Sequence, residues 1–356
     1  MNFTRILITG GAGFVGSNIA TMLRRGFASL QVTALDNLRR RGSELNSARL
    51  WEHGVKFVHG DIRCREDIDE CPPFDLLIDC SAEPSVQAGV SGSPMPVIQH
   101  NLTGTINCIE ATRARGAAFL FLSTSRVYPI EPINAIPFRE ESSRFRWDLS
   151  KPAAGVTEEG VTEQFTLDGA RSPYGGTKLA VELLLREYAW LYKMPVLINR
   201  CGVLAGPWQM GKVDQGVVTL WVASHLFNRS LKYIGFGGHG KQVRDLLHVE
   251  DLYDLIAKQV NDTAKWDARP YNVGGGLNVS ASLAELTRLC RDATGNTITI
   301  DSDARTSPVD VRIYLTDSSR VSADFAWRPR KSVSDIVTDI AAWARQHESA
   351  LRKVLG

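Results

Sequence analysis

Short apolar runs alternate with longer amphipathic segments through the first 200 residues of the chain. The runs lie at 5–9, 31–35, 56–59, 76–80, 118–123 and 195–199. Runs of this length, separated by segments long enough for helices, are typical of parallel strands joined by crossover helices. The pattern therefore predicts an α/β fold with a doubly wound parallel sheet.

Apolar residues at helical spacing mark the helices. One helix is predicted to begin near Phe14 and to end at Gly26, and a second covers 177–192. A third is expected at 217–227. Residues 282–285 read Ser-Leu-Ala-Glu, which is the sequence of a capping box at the start of a helix.

The pattern loosens after residue 200, and this change predicts two lobes. We expect residues 1–200 to form the sheet domain. Residues 201–356 should form mainly a smaller C-terminal lobe that binds the substrate, with some segments returning to the sheet. The stretch at 128–172 is longer than a routine connection. Its part at 130–171 is predicted to form a flap over the substrate, with a partly disordered insertion as the alternative.

The composition fits a large globular core. The chain has 356 residues, 44% of them hydrophobic, which is enough for one large core or two cooperating lobes. Its 41 basic and 39 acidic residues leave a formal charge of +2, too small for a broad field that attracts nucleic acid or an anionic membrane. No apolar stretch reaches the roughly 18 residues of a membrane span, and the N-terminus enters the first strand without a signal sequence. These features predict a cytoplasmic protein.

The cysteines show no paired spacing of the kind that binds metals, so no metal site is predicted. Two of them fall in apolar, strand-like segments. We interpret all of them as buried thiols of a reducing compartment. They are Cys64, Cys71, Cys80, Cys108, Cys201 and Cys290.

A glycine-rich segment between the first strand and the first helix predicts a dinucleotide site. Residues 10–16 read Gly-Gly-Ala-Gly-Phe-Val-Gly, which lets backbone amides and the helix dipole approach a pyrophosphate. Asp36 ends the second strand, where a carboxylate accepts from both ribose hydroxyls and repels a 2′-phosphate, and this favours NAD over NADP. The arginines at 39–41 argue the other way, although a solvated loop is the simpler interpretation of so short a basic run.

Further cofactor contacts are predicted after the third and fourth strands. Asp61 and Ser81 begin these segments, although Asp61 is nearly as well explained as a strand-end cap. The predicted cofactor-binding residues are Gly10, Gly13, Phe14, Val15, Gly16, Asp36, Asn37, Asp61, Ile62, Ser81, Ala82, Tyr174 and Lys178.

The segment Tyr174-Gly-Gly-Thr-Lys178 predicts redox chemistry on an alcohol. Positions four apart share one face of a helix, so the Lys178 ammonium can lie near the Tyr174 phenol and stabilise its anion. A tyrosine otherwise ionises near pH ~10, and a neighbouring cation lowers that pKa. Thr124 ends the fifth apolar run and would hydrogen-bond the reacting oxygen. We therefore predict Thr124, Tyr174 and Lys178 as the catalytic residues.

With these motifs in this order, the chain resembles the extended short-chain dehydrogenase/reductase family of nucleotide-sugar enzymes from end to end. The resemblance implies a Rossmann sheet, NAD that stays bound through turnover, a nucleotide-sugar substrate and a homodimer. Within the family, residues 213–216 and 240–248 are similar to their counterparts in CDP-paratose 2-epimerases, also called CDP-tyvelose 2-epimerases. This similarity implies epimerisation of a nucleotide-linked hexose at C2 by transient oxidation to a keto sugar.

The pair Ser125-Arg126 separates epimerisation from related reactions. The resemblance implies that relatives which eliminate water have Asp-Glu after the threonine, and that decarboxylating relatives tend to keep a glutamate there. This chain has neither. A 4-epimerase stays as an alternative, because the same trio oxidises C4 when the sugar is turned. A net NAD-dependent nucleotide-sugar dehydrogenase and a non-catalytic NAD-binding regulator are further alternatives.

Five residues are predicted to contact the substrate. Arg126 is expected to bind a phosphate or carboxylate, or else to pair with a structural acid. Arg244 and Arg312 are candidates for the pyrophosphate, since guanidinium forks match phosphate oxygens. Asp214 and Gln215 are expected to contact sugar hydroxyls, although Asp214 is equally well explained as the cap of the helix that follows.

Overall fold

The computed structural model describes residues 2–151, 153–211 and 216–354. The strands are β1 (Arg5–Thr9), β2 (Gln31–Asp36), β3 (Lys56–His59), β4 (Leu76–Asp79), β5 (Ala118–Thr124), β6 (Phe138–Glu140), β7 (Phe145–Trp147), β8 (Val196–Cys201), β9 (Val203–Ala205), β10 (Leu231–Ile234), β11 (Val243–His248), β12 (Asp267–Val273), β13 (Ser280–Ser282), β14 (Ile300–Asp303) and β15 (Ile313–Tyr314). The helices are α1 (Phe14–Gly26), α2 (Leu45–Glu52), α3 (Arg65–Asp69), α4 (Met95–Ile98), α5 (Thr105–Ala114), α6 (Ile130–Asn134), α7 (Pro173–Tyr192), α8 (Val217–Leu226), α9 (Val249–Gln259), α10 (Leu283–Thr294), α11 (Ser319–Phe325), α12 (Val333–Gln346) and α13 (Glu348–Val354).

A seven-stranded sheet in the order β12-β8-β5-β4-β1-β2-β3 forms the centre of the molecule, and every neighbouring pair in it is parallel. The predicted α/β fold with a doubly wound parallel sheet is confirmed. The strand order reverses between β1 and β4, where Thr9 pairs with Asp79. Ligands of open α/β sheets bind in the crevice at such a switch point, at the carboxyl ends of the strands.

Side chains that alternate along the strands fill two layers of core. Ile6 and Ile8 of β1 are buried on one face with Leu23 of α1, while Leu7 is buried on the other face with Leu185 of α7. Burying one such side chain contributes about 1.5–3 kcal/mol.

The C-terminal half of the chain contributes both to the sheet and to a second lobe. β12 lies at the edge of the main sheet beside β8. Helices α8, α10 and α12 pack around a separate core that includes Trp221, Leu286 and Ile336. β11 pairs with β9, β13 and β15 in a separate four-stranded sheet.

The described part of the predicted flap, at 130–151 and 153–171, packs against the C-terminal half. Phe145, Val161 and Phe165 are buried in one cluster with Ile313 of β15. The backbone N–H of Val161 also donates to the Leu315 carbonyl at 2.8 Å. The segment is therefore ordered by its own apolar side chains, and its role over the substrate stays a prediction.

Helix starts follow their caps. α7 begins ahead of the predicted 177, because the Ser172 hydroxyl accepts from Gly175 N at 3.3 Å and Pro173 fits the first helical position. The predicted capping box at the start of α10 is confirmed: Ser282 and Glu285 each accept from the other's backbone N–H, both at 3.0 Å.

The cysteines are all free thiols, but the prediction that all of them are buried is wrong for two. Cys64 is exposed because it lies in the turn before α3 rather than in a strand, and Cys80 is partly exposed. Burial raises the pKa of the Cys201 thiol to about 12. Among the described residues, no group of three or more His, Cys, Asp or Glu side chains could hold a metal ion. Within the same residues, none of the helices combines the length and apolar character needed to cross a membrane.

Candidate active site

The glycine turn between β1 and α1 depends on close backbone approach. Gly10 has a φ of +61°, in the left-handed region that favours glycine. A Cβ atom on Gly16 would lie only 2.2 Å from the Gly10 carbonyl oxygen, and one on Gly13 would lie 3.1 Å from the same atom. The absence of these side chains lets the first turn of α1 present its amides at the crevice.

The turn opens on a cavity of about 370 Å³, which we call the glycine-turn cavity. Gly16 and Asp61 lie outside its wall, while most of the other predicted cofactor residues line it. These are Gly10, Gly13, Phe14, Val15, Asp36, Asn37, Ile62, Ser81 and Ala82.

Asp36 closes one end of this cavity. Its Oδ2 accepts from Ala12 N at 3.0 Å and its Oδ1 accepts from Leu38 N at 2.8 Å. Burial raises the pKa of this carboxyl, and the backbone hydrogen bonds act in the opposite direction. Each oxygen keeps a further acceptor site for a ribose hydroxyl. Arg40, which also lines the cavity, donates to the Met210 carbonyl at 2.9 Å.

Asp61 is held by its neighbours at the end of β3. The Arg63 guanidinium donates to both carboxylate oxygens, at 3.0 and 2.6 Å. Asn37 Nδ2 donates to Oδ2 at 2.8 Å. The hydrogen bond with Arg63 holds the pKa of Asp61 well below its usual range. These bonds fit the strand-end role of Asp61, and the next residue, Ile62, reaches the cavity.

Thr124 and Tyr174 come together at the carboxyl end of β5. Thr124 is the last residue of that strand, and its Oγ1 accepts from Arg126 N at 3.1 Å. Tyr174 lies in the first turn of α7, and Thr124 is close enough to lower the pKa of its phenol. A Cβ atom on Gly175 would lie 2.1 Å from the Arg126 carbonyl oxygen, so glycine lets α7 start directly on this turn.

The electrostatics of Tyr174 differ from the prediction in one respect. Burial raises the pKa of Tyr174, while the Thr124 hydrogen bond and the positive charge of Arg126 lower it. Lys178 Nζ donates to the Leu122 carbonyl at 3.1 Å and lies 4.5 Å from the centre of the Phe121 ring. Burial lowers the pKa of Lys178, and Asp79 opposes that change. Arg126 thus adds a positive charge that lowers the pKa of the Tyr174 phenol.

The catalytic trio lines a second cavity of about 410 Å³, which we call the tyrosine cavity. Thr124, Tyr174 and Lys178 form one wall, and Arg244 and Leu246 of β11 face them. The two cavities share several lining residues and therefore adjoin, so a ligand that spans them would bring one end to the phenol. The shared residues are Phe14, Val15, Cys80, Ala82, Pro84 and Gln209.

Two arginines and one carboxylate lie beside the trio. Arg244 Nη2 donates to Asp310 Oδ1 at 2.5 Å and to the Val311 carbonyl at 2.5 Å. Arg126 Nη2 lies 3.9 Å from the same Asp310 oxygen. Its Nη1 is buried and has no hydrogen-bond partner among the described residues. The structure thus brings Arg126 and Arg244 to the tyrosine cavity, as predicted for substrate-binding residues.

Arg312 is placed elsewhere. Its guanidinium carbon lies 3.9 Å from the centre of the Phe138 ring, with the Phe145 and Phe236 rings at 5.9 and 5.4 Å. A planar, weakly hydrated guanidinium stacks favourably on aromatic faces, which explains this position. Arg312 is not part of the wall of the tyrosine cavity. The predicted contacts Asp214 and Gln215 lie outside the described residues.

A buried network behind the site was not foreseen. Ser123 Oγ donates to Glu182 of α7 at 2.5 Å, and Arg200 Nη2 donates to the same carboxylate at 2.6 Å. Arg200 Nη1 also donates to the Tyr128 hydroxyl at 3.0 Å. The signal was present in the sequence, since Glu182 stands four positions after Lys178 and so shares the face that carries Tyr174.

Comparisons with known proteins agree with this arrangement. A family model described as "NAD dependent epimerase/dehydratase family" matches residues 6–274. The CDP-paratose 2-epimerase of Salmonella typhi is 30% identical over 95% of this chain and 98% of its own. A dTDP-glucose 4,6-dehydratase of Actinoplanes sp. is 28% identical over 97% of this chain and 99% of its own. The structure of Thermus thermophilus UDP-glucose 4-epimerase with NAD has a TM-score of 0.74 and 25% identity, and the match covers 96% of this chain and 99% of that one.

NAD is the cofactor of this protein. The glycine turn fits it, because the cleared space at Gly10, Gly13 and Gly16 lets backbone amides approach a pyrophosphate. Asp36 is placed to accept from ribose hydroxyls. The adjoining tyrosine cavity contains Tyr174.

Proposed function

The chain belongs to the NAD dependent epimerase/dehydratase family, and we propose that it epimerises a nucleotide-linked hexose at C2. The substrate pair is of the CDP-paratose and CDP-tyvelose type. The reaction passes through a keto sugar and leaves no net redox change.

The observation that carries this proposal is the shortage of carboxylates at the tyrosine cavity. Among the described residues in its wall, Asp310 is the only acidic side chain, and Arg244 holds it at 2.5 Å. Elimination of water needs an acid and a base at the sugar in addition to the tyrosine. The resemblance implies that relatives which eliminate water have Asp-Glu directly after the threonine. In this chain those two positions are Ser125 and Arg126. The cavity therefore supports oxidation and reduction of an alcohol, without elimination.

The residues divide the chemistry between them. A C–H bond with no adjacent carbonyl is too weakly acidic for a side-chain base, so the carbon must first be oxidised. NAD supplies the acceptor and donor of hydride when bound. Tyr174 takes the proton of the C2 hydroxyl and returns it when the alcohol forms again. The keto carbon is planar, and reduction on its other face after the sugar turns inverts the centre.

Thr124 and Lys178 hold the reacting groups in place. Thr124 lines the tyrosine cavity together with Tyr174, so its hydroxyl can orient the sugar oxygen beside the phenol. Lys178 is buried beneath the tyrosine cavity and would hold the nicotinamide ribose. Removing the phenolic hydroxyl alone should lower kcat by about 10²–10⁴-fold, the usual contribution of a general acid–base group.

The choice of C2 rests on the relative that is a CDP-paratose 2-epimerase. A 4-epimerase is the second candidate, because a UDP-glucose 4-epimerase has the same fold. The catalytic trio does not distinguish between them, since either carbon can face the phenol if the sugar is turned.

The test uses purified protein without added NAD. CDP-paratose and CDP-tyvelose are incubated separately, with deuterium at C2 or at C4, and the quenched cofactor is examined by mass spectrometry. We expect interconversion of the two sugars and transient deuterium on the cofactor only from C2. Tyr174→Phe, which keeps the ring, is the control and should retain NAD while losing turnover.

Other outcomes have definite meanings. Label taken from C4 identifies a 4-epimerase. Stoichiometric accumulation of NADH absorbance identifies a net dehydrogenase. No conversion of any 2-epimeric pair by protein with confirmed bound NAD rejects the C2 assignment.

A further inference from the structure

The Arg126 guanidinium has a buried donor beside the catalytic trio. Its Nη1 is buried in the protein and forms no hydrogen bond with any described residue. A buried donor left unpaired loses its hydrogen bond to water, so such a group usually has a partner in the working state. Because Arg126 lines the tyrosine cavity, a bound ligand can provide that partner.

The charge around Arg126 is not balanced by the protein. Arg126 and Arg244 share the single carboxylate of Asp310, and Arg244 holds the closer position, at 2.5 Å against 3.9 Å. Arg244 also donates to the carbonyls of Val243 and Val311. Arg244 is therefore well satisfied, while Arg126 keeps both a net charge and an unused donor.

The backbone fixes Arg126 next to the reacting phenol. Its N–H is held by Thr124 Oγ1 at 3.1 Å, and its carbonyl lies against Gly175, the residue after Tyr174. The burial of Arg126 lowers its own pKa to about 10, which still leaves it charged at neutral pH. Its charge also acts on Tyr174, as described above.

We propose that Arg126 is a catalytic residue, whose unpaired guanidinium N–H donates to the sugar oxygen that exchanges its proton with Tyr174. This inference rests on the proposed epimerisation. In the oxidation step the O–H proton passes to the ionised phenol of Tyr174 and the hydride would leave the same carbon for the bound NAD, while Arg126 keeps its own protons and stabilises the developing negative charge on oxygen. In the return step the same bond holds the carbonyl oxygen as the carbon regains its hydrogen.

The same residue also explains the reaction class. A glutamate at this position could remove a proton from carbon, but a guanidinium cannot act as a base at neutral pH. Arg126 therefore favours transfer of hydride over elimination, and this makes it a residue that decides specificity between the two chemistries of the family.

The test combines kinetics with a titration that needs no sugar. The variants are Arg126→Gln and Arg126→Lys, and Arg305→Gln is the control because its side chain is 90% exposed. We expect Arg126→Gln to lower kcat about 10²–10³-fold, as for loss of an oxyanion donor, with KM changed less than about threefold. Arg126→Lys should recover part of kcat, because it restores the charge without the planar fork.

The titration follows tyrosine labelled with ¹³C at Cζ, in protein with its retained NAD. The resonance that disappears in Tyr174→Phe belongs to Tyr174. We expect its pKa to rise in Arg126→Gln and to return towards the wild-type value in Arg126→Lys.

Two results would overturn the inference. One is an unchanged Tyr174 titration in Arg126→Gln. The other is an increase in KM with kcat unchanged, which would make Arg126 an anchor for the diphosphate. If wild-type protein converts no nucleotide sugar while the titration shifts as expected, the proposed reaction fails, and the place of Arg126 beside the phenol is retained.

Discussion

Gly16 shows how a single missing side chain determines whether a cofactor can bind. A Cβ atom at this position would lie 2.2 Å from the Gly10 oxygen, a contact that backbone atoms cannot relieve without moving the turn. We expect Gly16→Ala to weaken NAD retention on the order of tenfold or more, since overpacking costs typically 1–3 kcal/mol. Cofactor released from denatured protein, measured per polypeptide, provides the readout. Gly92→Ala, where a Cβ meets nothing within 4 Å, should keep full occupancy; equal retention in both variants would contradict this account.

Asp245 should make stability depend on pH. It is completely buried, and burial raises the pKa of its carboxyl to about 6 from an ordinary 3.8. A carboxyl whose pKa is higher in the folded state stabilises the fold at low pH and loses that contribution as the pH rises through about 6. We expect Asp245→Asn to gain about 2–3 kcal/mol relative to the parent protein between pH 4 and pH 7. Chemical unfolding of both proteins across this range measures the difference, and a constant difference would show that Asp245 does not titrate there.

At the scale of the element, Glu182 connects the catalytic helix α7 to the sheet. Glu182 and Arg200 are paired at 2.6 Å with side chains that are 0% and 1% exposed. Removing one partner of a buried pair leaves an uncompensated charge and typically costs 3–5 kcal/mol. We expect Glu182→Ala to lower the free energy of unfolding by about that amount, as measured by chemical denaturation. Glu52→Ala, on the exposed side of α2, is the control and should change the free energy of unfolding by less than about 0.5 kcal/mol. Similar losses in the two variants would show that the buried pair is not the cause.

The elements were predictable to different extents, for physical reasons. α1 was predicted at its observed bounds, because a glycine turn and regular apolar spacing mark it. α7 began earlier than its apolar pattern, since Ser172 and Pro173 set its start through the backbone. Asp310 escaped prediction because its role depends on Arg244, which is remote in sequence and close only after folding. Arg312 was predicted to bind a phosphate because of its charge. In the structure it lies beside three aromatic rings from separate segments, and a local sequence pattern does not reveal such a contact.

The tyrosine cavity also shows why folding adds information about chemistry. The sequence identified Thr124, Tyr174 and Lys178 by their order, but it made Lys178 the cation of the phenol. In the structure Lys178 Nζ donates to the Leu122 carbonyl, and Arg126 adds a positive charge that lowers the pKa of Tyr174. Helical spacing alone predicts which residues share a face, while the direction of a long side chain depends on acceptors from other strands.

At the scale of the whole molecule, the outer face of α7 favours association with a second copy of the chain. Leu183, Trp190 and Leu191 are 52%, 71% and 57% exposed, and their spacing places them on one side of the helix. An apolar stripe of this kind is typical of a protein contact, and most oligomers of identical chains are two-fold symmetric. We therefore propose a homodimer in which α7 of one protomer packs near α7 of its partner. Because the same helix carries Tyr174 at its other end, this contact would also steady the catalytic residues.

Charged substitutions on that stripe should separate the protomers. We expect Leu183→Glu combined with Trp190→Glu to change the sedimenting species from dimer to monomer, since two buried carboxylates in an apolar contact are costly to desolvate. Trp51→Glu is the matched control: Trp51 is 79% exposed but lies on α2, away from this stripe, so the protein should stay dimeric. Sedimentation equilibrium of the three proteins, with retained NAD measured on the same samples, separates dissociation from unfolding. A wild-type monomer, or a double variant that remains dimeric, would show that α7 is not the contact.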